Sequence, residues 1–211
     1  MPTFDLRESA PLDVLEFDVV GERESMHVSH VAVALDKRDG VRFEDGLRAA
    51  HMMPPLTREV SVAAHVIGRL HLSRDEIRNI RDWLDDQTAA FAAIRPAFRQ
   101  YYLVREDTHD RTSKMEARRR FSCSTFVQDC FRESIDVTLV DEASLPPTGK
   151  DTLVRVWGAD RVRRGRLAGL TGEGPWPVLL PAHILHALDR DDPRESAYRP
   201  QLDDWDFPRA T

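Results

Sequence analysis

The chain has 211 residues, 41% of them hydrophobic and 31% charged, with a formal net charge of −6. That composition fits a globular chain long enough to bury a core, excludes a fibre or a disordered tail, and argues against a general nucleic-acid binder. No apolar run approaches the length of a membrane span. The stretch from Met1 to Val20 carries Asp5, Glu8, Asp13, Glu16 and Asp18 with no cationic start leading into an apolar run, so a secretory leader is not expected.

In chain order, Leu12 to Val20 roughly alternates apolar and acidic residues and reads as a strand, closed by a polar turn over Gly21 to Glu24. Met26 to Leu35 reads as a half-buried strand. Val31, Val33 and Leu35 lie on one face, and His30, Ala32 and Ala34 on the other. Asp36 to Gly40 is turn chemistry, and Val41 to Asp45 is the expected returning strand of a hairpin. After the Pro54-Pro55 break, Arg58 to Leu72 reads as a third strand with Gly68 as the place for a bend. A capping-box pattern at Ser73-Arg74-Asp75-Glu76 opens a helix with Ile77, Ile80, Trp83 and Leu84 on its apolar face. A second helical piece with Phe91, Ile94 and Phe98 is bent or ended near Pro96, and Arg105 to Thr112 is a polar loop.

A further helix is expected from about Ser122 to Glu133, followed by a short apolar run at Val137 to Val140 and a break at Leu145 to Gly149. Asp151 to Trp157 fits a helix or a strand. Pro181 suits the first position of a helix ending at Leu188. The acidic stretch from Asp189 to Thr211 contains Tyr198, Leu202, Trp205 and Phe207, which are unfavourable in water, so it is expected to pack on the domain. No internal repeat is visible, and the whole chain, 1–211, is read as one domain with its core at about 12–160.

Cys123 carries the most chemistry per residue. It follows Ser122, which can cap a helix, so it sits where the first backbone N–H groups favour negative charge. Arg118 to Arg120 and Lys114 lie just upstream, and a helix start with nearby cations is a setting that lowers a thiol pKa. The competing reading is structural, because Cys123, Phe126, Val127 and Cys130 fall at i, i+3, i+4 and i+7 and form a core stripe. The two cysteines would stand about 10 Å apart along one helix, too far for a disulfide, and a reducing, cytoplasmic location is the default.

A thiol nucleophile needs a base, and the base needs a third group to orient it. His30 and Glu44 can supply these, being fourteen apart across a tight hairpin, a spacing that allows both side chains on one face. Other candidates are weaker. His27 is three residues from His30 and points to the other face, so the two should not share a metal. His183 and His186 are spaced for a shared ion but lack a further ligand nearby, and Thr148 to Thr152 lacks the first glycine of a phosphate loop. The basic run Arg161 to Arg166 is either a solvated face or, through Arg163 and Arg164, a recognition site for a carboxylate or phosphate.

The stretches Ser29 to Leu35, Phe43 to Gly46 and Phe121 to Val127 resemble the circularly permuted NlpC-type papain-like amidases and cysteine peptidases, in which the histidine strand precedes the cysteine helix. Ala32 stands where that family often has glycine. The resemblance covers roughly Leu12 to Thr152. It implies Cys123 as nucleophile, His30 as general base and Glu44 as the polar third member.

The expected fold class is therefore α+β, a permuted papain-like fold with a small antiparallel sheet against the cysteine helix. The expected activity is hydrolysis or transfer of an acyl group from a peptide, amide or lipid acyl substrate through a thioester. Ser122 and Ser124 would stand at the oxyanion-holding helix start, and Arg120, Arg163 and Arg164 would contact substrate; no metal or organic cofactor is called for. The alternative is a binding module of the same fold whose arginine clusters hold an anionic partner.

Overall fold

The computed structural model describes residues 15–24, 27–35, 47–52, 56–62, 65–92, 103–104, 122–163, 170 and 172–207. Five strands form one antiparallel sheet: β1 (Leu15–Glu24), β2 (His27–Ala34), β3 (Leu47–Met52), β4 (Leu56–Val62) and β5 (Val66–Leu72), in the order β4-β3-β2-β1-β5. The expected turn at Gly21 to Glu24 is instead the second half of β1, which pairs with β2 as far as Glu24↔His27. Gly21 suits this close-packed position, because a Cβ there would lie 2.8 Å from Leu185 Cδ1. The single strand expected over Arg58 to Leu72 is two strands, β4 and β5. The expected return strand at 41–45 lies outside the described residues; among the described residues, β2 pairs on its side away from β1 with Leu47–Met52.

Two helices bring the apolar layer to this sheet. In α1 (Arg74–Ala92), Ser73 and Glu76 cap each other's backbone as the sequence predicts: Ser73 N–H donates to Glu76 Oε2 at 2.8 Å, and Glu76 N–H donates to Ser73 Oγ at 3.3 Å. α2 (Cys123–Ile135) buries every residue from Cys123 to Phe131. Trp83 of α1 donates its indole N–H to Glu133 of α2 at 3.0 Å, and its ring lies 5.4 Å from that of Phe126. Together with α5 (Pro181–Leu188), these helices cover one sheet face, where Phe17, Val19, Val28, Val31, Val33, Ala50 and Met52 join the main core. The other face carries the small set Val20, Ala32, Ala34 and Ala49.

Between α2 and α5 lie a short 3-10 turn (Glu142–Ser144), β6 (Pro147–Thr148), α3 (Lys150–Trp157), α4 (Ala159–Arg163) and β7 (Trp176–Pro177). The open choice at 151–157 resolves as helix, with Leu153, Val156 and Trp157 buried in a second cluster with Val178 and Leu180. The segment after α2 is pinned by buried Gln128, whose amide donates to Val140 O at 2.8 Å and accepts from Val140 N–H at 3.1 Å. Val140 then bridges to Tyr198, with Asp141 N–H donating to Tyr198 O and Tyr198 N–H donating to Leu139 O, each at 2.8 Å.

From there the C-terminal stretch returns to the sheet. Arg23 donates to the Phe207 carbonyl, the Trp205 ring lies tilted at 4.8 Å from that of His27, and His186 Nε2 lies 2.8 Å from the Asp206 carbonyl oxygen. The result is a mixed α+β fold with a small antiparallel sheet packed against helices. Among the described residues, no helix is long and apolar enough to cross a membrane.

Candidate functional site

Ser122 caps α2 in extended conformation (φ −86°, ψ 173°). Thr125 N–H donates to Ser122 Oγ at 3.1 Å, and Ser122 N–H donates to Thr125 Oγ1 at 2.7 Å, a reciprocal cap in which threonine fills the place more often taken by Glu or Gln. Phe126 N–H closes the first turn on the Ser122 carbonyl at 3.0 Å. Cys123 is thus held rigidly as the first helical residue, in the positive end of the helix field. Its Sγ lies 3.9 Å from Ser124 Oγ. Cys123, Ser122 and Ser124 all have no solvent exposure, and Cys123 belongs to the main core with Val31, Val33 and Phe126. Cys130, two turns along, is equally buried; burial and then the nearby Asp129 and Glu133 push its thiol up, far from reactivity.

α2 packs on β2 and β3, and these two strands bring together a pair of imidazoles. His30 Nε2 lies 2.8 Å from His51 Nδ1, with the rings edge to face at 4.9 Å. The register explains the meeting. Val33 stands opposite Ala50, so one step further His51 falls opposite Ala32 and diagonal to His30. The alternation of β2 carries His30 with Ala32 and Ala34 onto the small-residue face, where His51 joins Ala49. Both rings are buried, at 5% and 9% exposure. Burial, and secondarily the charge His30 can carry, lower the His51 pKa from 6.5 to about 4. Within the pair, a proton is therefore disfavoured on His51. His30 commits Nε2 to its neighbour, which makes Nδ1 the atom suited to exchange a proton with a thiol.

The remaining candidates are placed as follows. Glu44, Arg120 and Arg164 lie outside the described residues. Arg163 ends α4, 77% exposed, and pairs with Asp160 at 3.2 Å, a surface ion pair. His27 faces Asp206 at 3.4 Å. His183 Nδ1 accepts the Leu180 N–H at 3.3 Å to cap α5, and burial lowers its pKa to about 4, which suits this acceptor role. His186 is turned to the C-terminal stretch rather than to His183. Among the described residues, no group of three His, Cys, Asp or Glu side chains is arranged to hold a metal ion.

Sequence reasoning missed His51. It selected Glu44 on the return strand expected at Val41 to Asp45, and that strand and Glu44 lie outside the described residues. The signal lay in Leu-Arg-Ala-Ala-His-Met before the Pro54-Pro55 break, a short strand in which Ala49 and His51 share a face. Comparison with protein families, with curated proteins and with solved structures finds no match to this chain.

Proposed function

We propose that the protein is a thiol-dependent acyl hydrolase or acyltransferase of the permuted papain-like kind, with Cys123 as nucleophile, His30 as general base and His51 as the orienting third member. The observation that carries this reading is the buried His30–His51 hydrogen bond on β2 and β3, the strands on which the Cys123 helix packs. The pair lies on the small-residue face while Cys123 joins the core with Val31 and Val33 of the other, so the reading requires Cys123 and His30 to meet around β2 rather than across one face. His30 Nδ1 takes the thiol proton, and the sulfur attacks an amide or ester carbonyl. The leaving nitrogen or oxygen then takes the proton from His30, and water or a second nucleophile resolves the thioester and restores the thiol. Backbone N–H groups at the start of α2 suit the transient oxyanion. His51 fixes the ring of His30 and stays neutral while His30 carries charge. Peptides, amides and acyl esters are the candidate substrates.

One observation favours the second reading, a non-catalytic binding module with an anionic partner: Cys123 has no exposed surface. Alkylation with iodoacetamide near pH 6, followed by peptide mapping, separates the two. The enzyme reading expects Cys123 to label far faster than Cys130, and His30→Ala to slow it by removing the cation that stabilises the thiolate. Equal, slow labelling of both thiols, indifferent to His30, would overturn it in favour of the binding module.

A further inference from the structure

At the end of β2 away from the histidine pair, a groove of about 630 Å³ opens between the sheet and α1. Ala34 at that end is four residues from His30, about 13 Å along a strand, so this is a separate place on the molecule. Leu15, Leu35 and Ile77 provide its apolar walls, and Leu15 is 41% exposed. Arg74, Arg78 and Arg81 provide its rim. With Ile77 they fall at i, i+3, i+4 and i+7, so one helix stripe presents three guanidinium groups beside one apolar side chain.

The acidic side of the groove is already occupied. Glu16 and Asp18 both pair with Arg69 of β5, at 3.3 Å and 2.8 Å. The arginine side is more available. Among the described residues Arg78 pairs with Asp75 on the same helix, and both are largely exposed, so the pair exchanges readily with another anion. Arg81 forms no ion pair among the described residues. The volume lies within the range of small-molecule sites, whereas a protein partner would need a much larger surface.

We propose that this groove binds a small amphiphile: a carboxylate or phosphate head held by Arg78 and Arg81, with an apolar chain lying along Leu35, Leu15 and Ile77. The fork of arginine can take either anion through two parallel N–H donors, and the walls remove the chain from water. The site is independent of the thiol chemistry proposed above and stands or falls without it.

The test is calorimetric titration of the full chain with decanoate and decyl phosphate below their micelle concentrations, against decanol and decyltrimethylammonium as uncharged and cationic controls. At least one anion should bind with a Kd below about 1 mM and at least about tenfold more tightly than either control. The tighter of the two anions identifies the head. Arg81→Gln and Arg78→Gln should each weaken that anion about five- to tenfold, and Leu35→Ser should weaken it as well. Unchanged melting temperatures would establish that the arginine variants remain folded. Decanol binding as tightly as both anions, arginine variants that bind unchanged while folded, or no anion binding below about 1 mM would each overturn the proposal.

Discussion

Replacing His51 with glutamine should flatten the response of stability to mild acid. In the unfolded chain an imidazole takes a proton near pH 6.5, whereas folded His51 does so only near pH 4. Between these values the unfolded state holds more protons, so stability is complete above pH 6.5 and falls as pH is lowered towards 4. The linkage amounts to about 1.4 kcal/mol per pH unit within that window, so His51 accounts for about 2 kcal/mol of lost stability by pH 5. Buried His183, also lowered to about 4, adds a similar loss by the same route. Domain stabilities are commonly about 5–15 kcal/mol, which makes the sum easy to measure. Urea unfolding followed by far-ultraviolet circular dichroism at pH 7, 6 and 5 gives the slope directly. The glutamine variant starts lower at pH 7, having lost the His30 hydrogen bond, but should lose only about half as much as the parent on the way to pH 5. Identical slopes for the two proteins would refute the reasoning, because His51 would then protonate as freely in the folded chain as in the unfolded one.

Gly68→Ala should destabilise by about 1–3 kcal/mol in the same assay at pH 7, since the added methyl would lie 2.6 Å from Leu188 Cδ1 and 2.7 Å from Leu188 Cβ. Gln128→Leu should cost about 2–4 kcal/mol, because both backbone groups of buried Val140 lose their side-chain partner. Arg163→Ala should shift stability by less than about 0.5 kcal/mol, its ion pair being exposed; a large loss in urea unfolding would make that arginine structural.

Much of the fold was legible because local signals agreed with tertiary needs. Ser73 and Glu76 announced α1, and the alternation around Val31 announced β2. The acidic alternation before Gly21 located β1 but misplaced its end: Gly21 reads as a turn residue in sequence, and only the close approach of Leu185 shows why a strand needs glycine there. The split of the third strand was hidden because Val, Ile and His continue through the break after Val62. Asp151 to Trp157 stayed ambiguous because Val154 and Val156 suit a strand, while Leu153, Val156 and Trp157 suit a helix stripe; packing on Val178 and Leu180 decided it. Two of the candidate residues stand on the elements where the sequence expects them. Cys123 and His30 stand at points that chemistry marks, a capped helix start and a small-residue strand face. The contact of His30 with His51 was not legible, because it depends on the cross-strand register between β2 and β3, which no local pattern states.

The C-terminal stretch has a consequence for biosynthesis. Arg23 finds its carbonyl partner 184 residues away at Phe207, and Leu139 and Asp141 complete their backbone pairing only with Tyr198. β1 is therefore secured by a residue made 184 positions later. While the ribosome still holds those residues, the sheet end near His27 and the segment after α2 lack these partners, and the chain cannot reach its finished form domain-first from the N-terminus. Closure of the fold waits until residues 198–207 have left the ribosome, and the interval before it is when this part of the chain is most exposed to chaperones and proteases.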